Sequence, residues 1–203
     1  RALRWVCRAV RDIALRYPGL RDLDVVDKTT LKCAADQYEY QLSNFTDKPV
    51  AHLLGLRYVS AANDDYRRIL PYPGGLEAWD TDYPYIPDLD TAIPEYYMRR
   101  GNVLELAAMP GTEEDGAPLW AHYTYLPREV TDTASTAALP LTNFDEEVIQ
   151  AAKAYGLRIM VLNNPGLAQQ AQLAEQFARS LVQERVDGEA DWDVSEQSRD
   201  QGP

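Results

Sequence analysis

The sequence predicts an α+β fold: mainly an α-helical bundle, with an inserted small antiparallel β-subdomain and an extended acidic C-terminal tail. Apolar residues recur every three or four positions near both ends of the chain, which is typical of amphipathic helices. Between these regions, short runs alternate apolar and polar residues, which is typical of half-buried strands. After residue 186 neither pattern continues and acidic residues dominate.

We expect four segments along the chain. They are the N-terminal helix of the bundle (1–28), a β-rich insert with Pro/Asp-rich loops (29–141), a C-terminal helical hairpin (142–186) and an extended docking tail (187–203). A chain of 203 residues with 45% apolar content is large enough for one domain with an inserted subdomain.

The first helix is predicted to carry apolar residues on one face and most of its arginines on the other. The apolar residues recur from Leu3 to Tyr17, and Pro18-Gly19 ends the helix. The first 21 residues contain six arginines and one aspartate, which gives a net charge of +5. We expect Arg4, Arg8 and Arg11 to be solvated or to lie at an interface between subunits. Direct contact with DNA is the less favoured alternative, because the rest of the chain is acidic.

The middle of the chain carries the strand patterns. We expect strands at 38–42, 53–59, 96–99, 103–108 and 119–126. Gly55 marks a bulge, and Gly101-Asn102 is a hairpin turn. Residues 61–94 contain five prolines and are expected to form ordered loop, short helix or both. Residues 127–141 are expected to form an aperiodic connector.

Two further helices are predicted near the C-terminus. Apolar residues from Val148 to Leu162 follow a helical spacing, and the same spacing continues from Leu167 to Leu181. Asn143 and Glu146 form a capping box for the first of these helices. Asn164-Pro165 supplies an N-cap and a first-turn proline for the second. The short link between them predicts an antiparallel hairpin.

The last 20 residues form the docking tail in this interpretation. They contain seven acidic residues and two arginines, which gives a net charge of −5. A single tryptophan in an acidic segment gains free energy by binding to an apolar pocket. We therefore predict partner-binding residues at Asp191, Trp192, Asp193 and Val194. The opposite charges of the two chain ends suit head-to-tail assembly, in which unlike surfaces meet.

Composition argues against several classes of function. The net charge of −12 makes nucleic acid an unfavourable tight partner. No apolar run approaches the roughly 18–20 residues needed to cross a membrane. Two cysteines, Cys7 and Cys33, and two histidines are too few and too scattered for a Cys/His metal site. No phosphate loop, nucleophile elbow or zinc-protease motif occurs, so we predict no catalytic, cofactor or metal residues.

Two alternative functions depend on local clusters. Carboxylates beside aromatic residues could serve a glycan or peptidoglycan hydrolase, and the cluster consists of Asp80, Asp82, Asp88, Asp90 and Glu95. The same aspartates begin like a calcium loop but lack its glycine and closing glutamate. The strand aromatics could instead form a carbohydrate-binding module.

The order of elements and several local patterns resemble one known family. The patterns are Gln37-Tyr38-x-Tyr40-x-Leu42, Leu56-Arg57-Tyr58-Val59, Pro94-x-Tyr96-Tyr97, Gly101-Asn102-Val103-Leu104-x-Leu106, Tyr123-x-Tyr125 and Asp145-Glu146-Glu147. Over about residues 1–185 the chain is similar to the head-to-tail adaptors, or connectors, of tailed bacteriophages, and most similar to the short-tailed-phage type.

The resemblance implies a structural adaptor protein and not an enzyme. It implies a ring of about twelve copies between the portal protein and the tail or nozzle proteins, which seals the neck while DNA passes without sequence-specific binding. It also implies that the C-terminal tail reaches the portal and the β insert faces the tail. The expected location is the neck of the virion, after synthesis in the host cytoplasm, with no cofactor and no membrane contact.

Overall fold

The computed structural model describes residues 2–18, 20–60, 65–84, 86, 91–128, 141 and 144–199. The chain divides into a helical unit, Arg1–Leu23 with Leu126–Pro203, and a sheet unit, Asp24–Tyr125. The helices of the helical unit are α1 (Ala2–Arg16), α3 (Asp145–Val161) and α4 (Ala168–Arg199). The sheet unit contains β1 (Asp24–Lys32), β2 (Glu39–Gln41), β3 (Val50–Val59), β4 (Tyr66–Pro71), α2 (Gly75–Asp82), β5 (Tyr96–Arg100), β6 (Val103–Leu106) and β7 (Pro118–Tyr125).

The predicted fold class, mainly a helical bundle with a small antiparallel β-subdomain, is wrong. Seven strands form one mixed sheet in the order β1-β7-β3-β4-β5-β6-β2. All neighbouring strands are antiparallel except β4 and β5, which pair in parallel at Leu70 with Tyr96. The sequence did not predict β4, because Ile69 is its only buried residue and its apolar and polar residues do not alternate. In β1 only Leu31 is buried, so that strand also lacks the expected pattern.

The sheet curls around a core to which all seven strands contribute. Fully enclosed side chains include Leu104 and Leu106 of β6 and Leu119 of β7. Phe45 packs edge-on against Tyr123, with ring centroids 4.9 Å apart. Most of the buried tyrosines of the strands therefore belong to this core, which removes them from the surface that a carbohydrate-binding module would use.

Several local predictions in the sheet unit are confirmed. The pairing of β3 with β7 changes register between Leu53 and Gly55, which is the predicted bulge. Gly101 has a φ of +61° in the turn between β5 and β6, a conformation that glycine adopts without a steric penalty. The region 61–94, which was expected to be loop or short helix, contains α2 and also the unpredicted strand β4.

The helical unit is built around α3, which packs against both α1 and α4. The predicted hairpin of α3 and α4 is confirmed, with small residues such as Ala152 and Ala178 buried along it. The Asn164 side chain accepts a hydrogen bond from the Gly166 amide at 3.2 Å, as expected of an N-cap. The predicted capping residue Asn143 lies outside the described residues.

The extended C-terminal tail of the prediction is also wrong, because α4 continues as a helix to Arg199. Between residues 187 and 199 the sequence contains no proline. Glycine, as at Gly188, lowers the stability of a helix by only about 1 kcal/mol relative to alanine. Residues 200–203 lie outside the described part. No described helix is long and apolar enough to span a bilayer.

Candidate functional site

The exposed arginines of α1 border a groove at one end of the helical unit. Arg4 and Arg8 line it together with Trp5, Ile159 and Met160, and its volume is about 430 Å³. The Arg8 guanidinium donates a hydrogen bond to the Tyr155 hydroxyl. Both arginines are exposed to solvent. The structure thus brings Arg4 and Arg8 together beside apolar side chains, which is the composition of many protein interfaces.

Arg11, the third predicted assembly residue, lies apart from this groove. It is half-buried, and its guanidinium donates a hydrogen bond to the carbonyl of Pro127 at 3.0 Å. This bond connects α1 to the segment that leads back from the sheet unit. Arg11 therefore stabilises its own chain in this structure.

Apolar side chains at and just past the end of α3 are exposed. Ile159 and Met160 are more than one third exposed, and Leu162 is 83% exposed. Leucine gains free energy when it leaves water, about 1.5–3 kcal/mol for full burial. This end of the helical unit is consequently suited to contact another protein.

The predicted docking residues Asp191, Trp192, Asp193 and Val194 belong to the last turns of α4, and their side chains are outside the described part. Helix α4 is much longer than α3. Arg185 lies 4.0 Å from Glu147 and stacks over Phe144, which places it beside the start of α3. At 1.5 Å per residue, α4 then extends about 21 Å further to Arg199.

The carboxylates proposed for a hydrolase have structural partners where they are described. Arg100 forms an ion pair with Asp80 and a second one with Glu105 at 2.8 Å. Glu105 also accepts a hydrogen bond from the Trp79 indole at 3.0 Å. Tyr72 donates to Asp82. These contacts attach α2 to the outer face of β5 and β6.

The remaining members of that cluster are Glu95, Asp88 and Asp90. Glu95 lies exposed just before β5, and Asp88 and Asp90 are outside the described residues. Within the described ranges, no three His, Cys, Asp or Glu side chains converge as metal ligands. The described acids of this region therefore form α2 contacts and an exposed acidic surface.

One surface of the sheet unit was not predicted from the sequence. Lys28, Arg57, Arg68, Trp120 and Tyr66 share the outer face of strands β1, β7, β3 and β4. The sequence did contain one indication of it. Arg57 lies between Leu56 and Tyr58, which are core residues, and successive side chains of a strand point to opposite faces, so Arg57 belongs to the outer face.

A family model matches almost the whole chain. The family model described as SU10 adaptor protein matches residues 1–199, so it covers both the helical unit and the sheet unit. No curated protein matches the sequence.

Proposed function

This chain belongs to the SU10 adaptor protein family, which is a family of phage head-to-tail adaptors, and we propose that it forms a ring between the portal and the tail. The resemblance predicted from the sequence is confirmed at the level of the family, and with it the role of a phage adaptor in virion assembly. In our proposal the ring contains about twelve copies, seals the neck and lets DNA pass through its lumen. The protein would be made in the host cytoplasm and join the virion there.

The family match over residues 1–199 is the observation that carries this proposal. The matched range extends over the residues of α4 up to Arg199. A ring subunit needs surfaces for its neighbours and for the components above and below it. The end of α4 and the arginine groove are candidates for such surfaces.

We assign the end of α4 to the portal. This segment extends about 21 Å past the start of α3 and carries the acidic residues around Trp192. A helix segment that extends past the helix it packs against buries its own apolar residues poorly, and a second protein can supply the missing contact. Asp191, Asp193 and Val194 would flank the tryptophan anchor.

The arginine groove of Arg4 and Arg8 is assigned to a contact between subunits. Exposed cations beside apolar side chains are common in such contacts, and arginine is favoured over lysine there. Arg11, the third residue predicted for assembly, lies apart from the groove and bonds to Pro127 within the same chain.

Net charge supports the passage of DNA without tight binding. The chain carries −12 at neutral pH, so a ring of copies repels phosphate on average. DNA affinity depends on cations that neutralise phosphates. A lumen with few such cations would allow the duplex to slide.

Native mass spectrometry of this chain with the portal ring from the same phage tests the proposal. We expect the assembled complex to gain about one adaptor copy per portal subunit. A folded, intact chain that does not associate with the portal ring would refute the adaptor assignment for this protein.

The docking assignment has its own test. A chain truncated after Val186 and the Trp192→Ala variant are compared with the wild type for portal affinity. We expect the truncation to abolish binding and Trp192→Ala to weaken it about tenfold or more, as is common for a buried aromatic anchor. An exposed Glu184→Ala control, which removes one acidic charge from the same helix, separates loss of docking from loss of charge alone. Unchanged affinity of the truncated chain would eliminate this role of α4.

A further inference from the structure

We infer that the outer face of the sheet unit binds an acidic surface on a second copy of the chain. The cationic face consists of Lys28, Arg57, Arg68, Trp120 and Tyr66. Its partner, the α2 surface, consists of Leu76, Glu77, Asp80 and Asp82. The inference rests on the proposed function, because it names surfaces through which neighbouring copies in the ring would meet.

Strand register places the three cations on one side of the sheet. Arg57 of β3 lies opposite Trp120 of β7 and also opposite Arg68 of β4. The Lys28 ammonium lies over the Trp120 ring, 4.2 Å from its centroid. The residues that alternate with these, such as Leu56, point into the core. The cations and the indole therefore form one continuous outer surface.

These cations lack acidic partners even though acids are abundant around them. The sheet unit contains 17 acidic and eight basic residues. In the described part of the chain, no carboxylate lies within ion-pair distance of Lys28, Arg57 or Arg68, whereas Arg67 and Arg100 are both paired. Like charges directly opposite each other in a sheet, such as Arg57 and Arg68, destabilise it. A bound anionic surface would remove this repulsion.

The cationic face also has the shape and apolar content of a docking surface. A concavity of about 360 Å³ opens between its side chains. Val26 beside it is 54% exposed and Tyr66 is 50% exposed. Tyr66 packs edge-on against Trp120, with centroids 5.8 Å apart. Exposed apolar side chains within a charged surface are typical of protein–protein contacts.

The α2 surface is complementary in charge. Glu77, Asp80 and Asp82 are all exposed along one short helix, which stays net negative although Arg100 pairs with Asp80, and Leu76 is 48% exposed beside them. Trp79 on the other side of the helix is buried and holds α2 on the outer face of the sheet near β5. The carboxylates of the predicted hydrolase cluster thus acquire a role in assembly.

The contact joins two different surfaces of the chain. The cationic face lies on β1, β7, β3 and β4, whereas α2 lies beside β5. A contact between unlike surfaces is heterologous, and it generates a ring where its rotation closes. DNA is the other polyanion that basic and aromatic residues can bind, but the net charge of −12 disfavours it.

Charge reversal on each side tests the inference. Sedimentation velocity over a range of concentrations compares the wild type with Arg57→Glu/Arg68→Glu and with Glu77→Lys/Asp82→Lys. We expect each double variant alone to dissociate with a constant at least about tenfold higher than that of the wild type. An equimolar mixture should recover association, because the reversed surfaces attract each other. Arg67→Glu on the same strand is the matched control, and circular dichroism checks that every variant is folded.

The outcomes separate this inference from the proposed function. Variants that associate like the wild type, a mixture that recovers nothing, or a wild type that stays monomeric at every concentration would each overturn the contact. Binding of a duplex DNA oligonucleotide that depends on Arg57 and Arg68 would overturn it in favour of a nucleic-acid site. Portal binding by the wild type tests the adaptor role independently, so that role can stand while this contact fails.

Discussion

A substitution at Gly156 tests the packing of the helical unit most sharply. A Cβ atom at this buried position of α3 would lie 2.7 Å and 2.8 Å from two carbons of the Trp5 ring. Ordinary carbon–carbon contacts are about 3.5–4.0 Å, so the ring must move. Such overpacking costs about 1–3 kcal/mol, while alanine in a helix recovers about 1 kcal/mol over glycine. We expect Gly156→Ala to lower the free energy of unfolding by about 1 kcal/mol.

The Trp5→Leu background reverses the sign of this effect. Leucine has no ring carbons at the point of overlap, so Gly156→Ala should then raise the free energy of unfolding by about 1 kcal/mol through helix propensity. The measurement is urea unfolding followed by circular dichroism at the helix band, which does not depend on Trp5 fluorescence. The coupling between the two sites should be about 2 kcal/mol. If Gly156→Ala stabilises both backgrounds equally, Trp5 does not pack on this glycine.

Three further predictions concern the sheet unit. Burial, with two nearby carboxylates, raises the pKa of Cys33 to about 12. In a Cys7→Ser background, alkylation of the Cys33 thiol should therefore stay slow between about pH 7 and 9 until the protein unfolds. Fast alkylation of the folded protein would contradict the burial of Cys33. Trp79→Phe removes the indole donor to Glu105 and should lower the free energy of unfolding by about 1–3 kcal/mol in urea. Burial alone would raise the pKa of Asp27, but hydrogen bonds from the two threonines that follow lower it below 3.8. Its carboxylate therefore stabilises the fold above pH 3.8, and this contribution is lost as the pH falls through the lower pKa of the folded state. In the Asp27→Asn variant, the free energy of unfolding should therefore decrease less steeply with falling pH in the acid range than in the wild type.

The elements that the sequence predicted well are those set by neighbouring residues. Helix α1 ends one residue before Tyr17, close to the predicted stop at Pro18-Gly19, because proline cannot continue a helix. Gly55 and Gly101 were identified because a bulge and a tight turn impose local backbone requirements. Each of these signals lies within a few residues of the structure it predicts.

The fold class was missed because its determinants are distant in sequence. Strand β4 buries only Ile69, so neither an alternation of apolar and polar residues nor an apolar run predicts it. Its parallel pairing with β5 requires a crossover, and that crossover contains α2 within a region whose prolines favoured loop. The acidic end of α4 was expected to be extended from its charge, although charge alone does not terminate a helix.

Charge also could not distinguish the roles of the three arginines of α1. Arg4 and Arg8 share a groove with apolar side chains, whereas Arg11 bonds to a backbone carbonyl 116 residues away. Helical spacing assigns all three to the polar side of α1, and only the tertiary fold decides which of them meets another part of the same chain. The assembly role of Arg4 and Arg8 stays a prediction.

An adaptor must present several unlike surfaces at once, and this chain distributes them between its two units. The sheet unit carries a cationic face and an acidic α2 surface, and the charged side chains of both are exposed. The helical unit carries the arginine groove and the far end of α4, which extends past the helix that packs against it. Charge reversal at Arg57 and Arg68 changes no residue of the helical unit, and truncation after Val186 changes no residue of the sheet unit. The proposed contact between copies through the cationic face and the proposed docking of α4 to the portal are therefore separable by mutation, so each proposal can be tested independently.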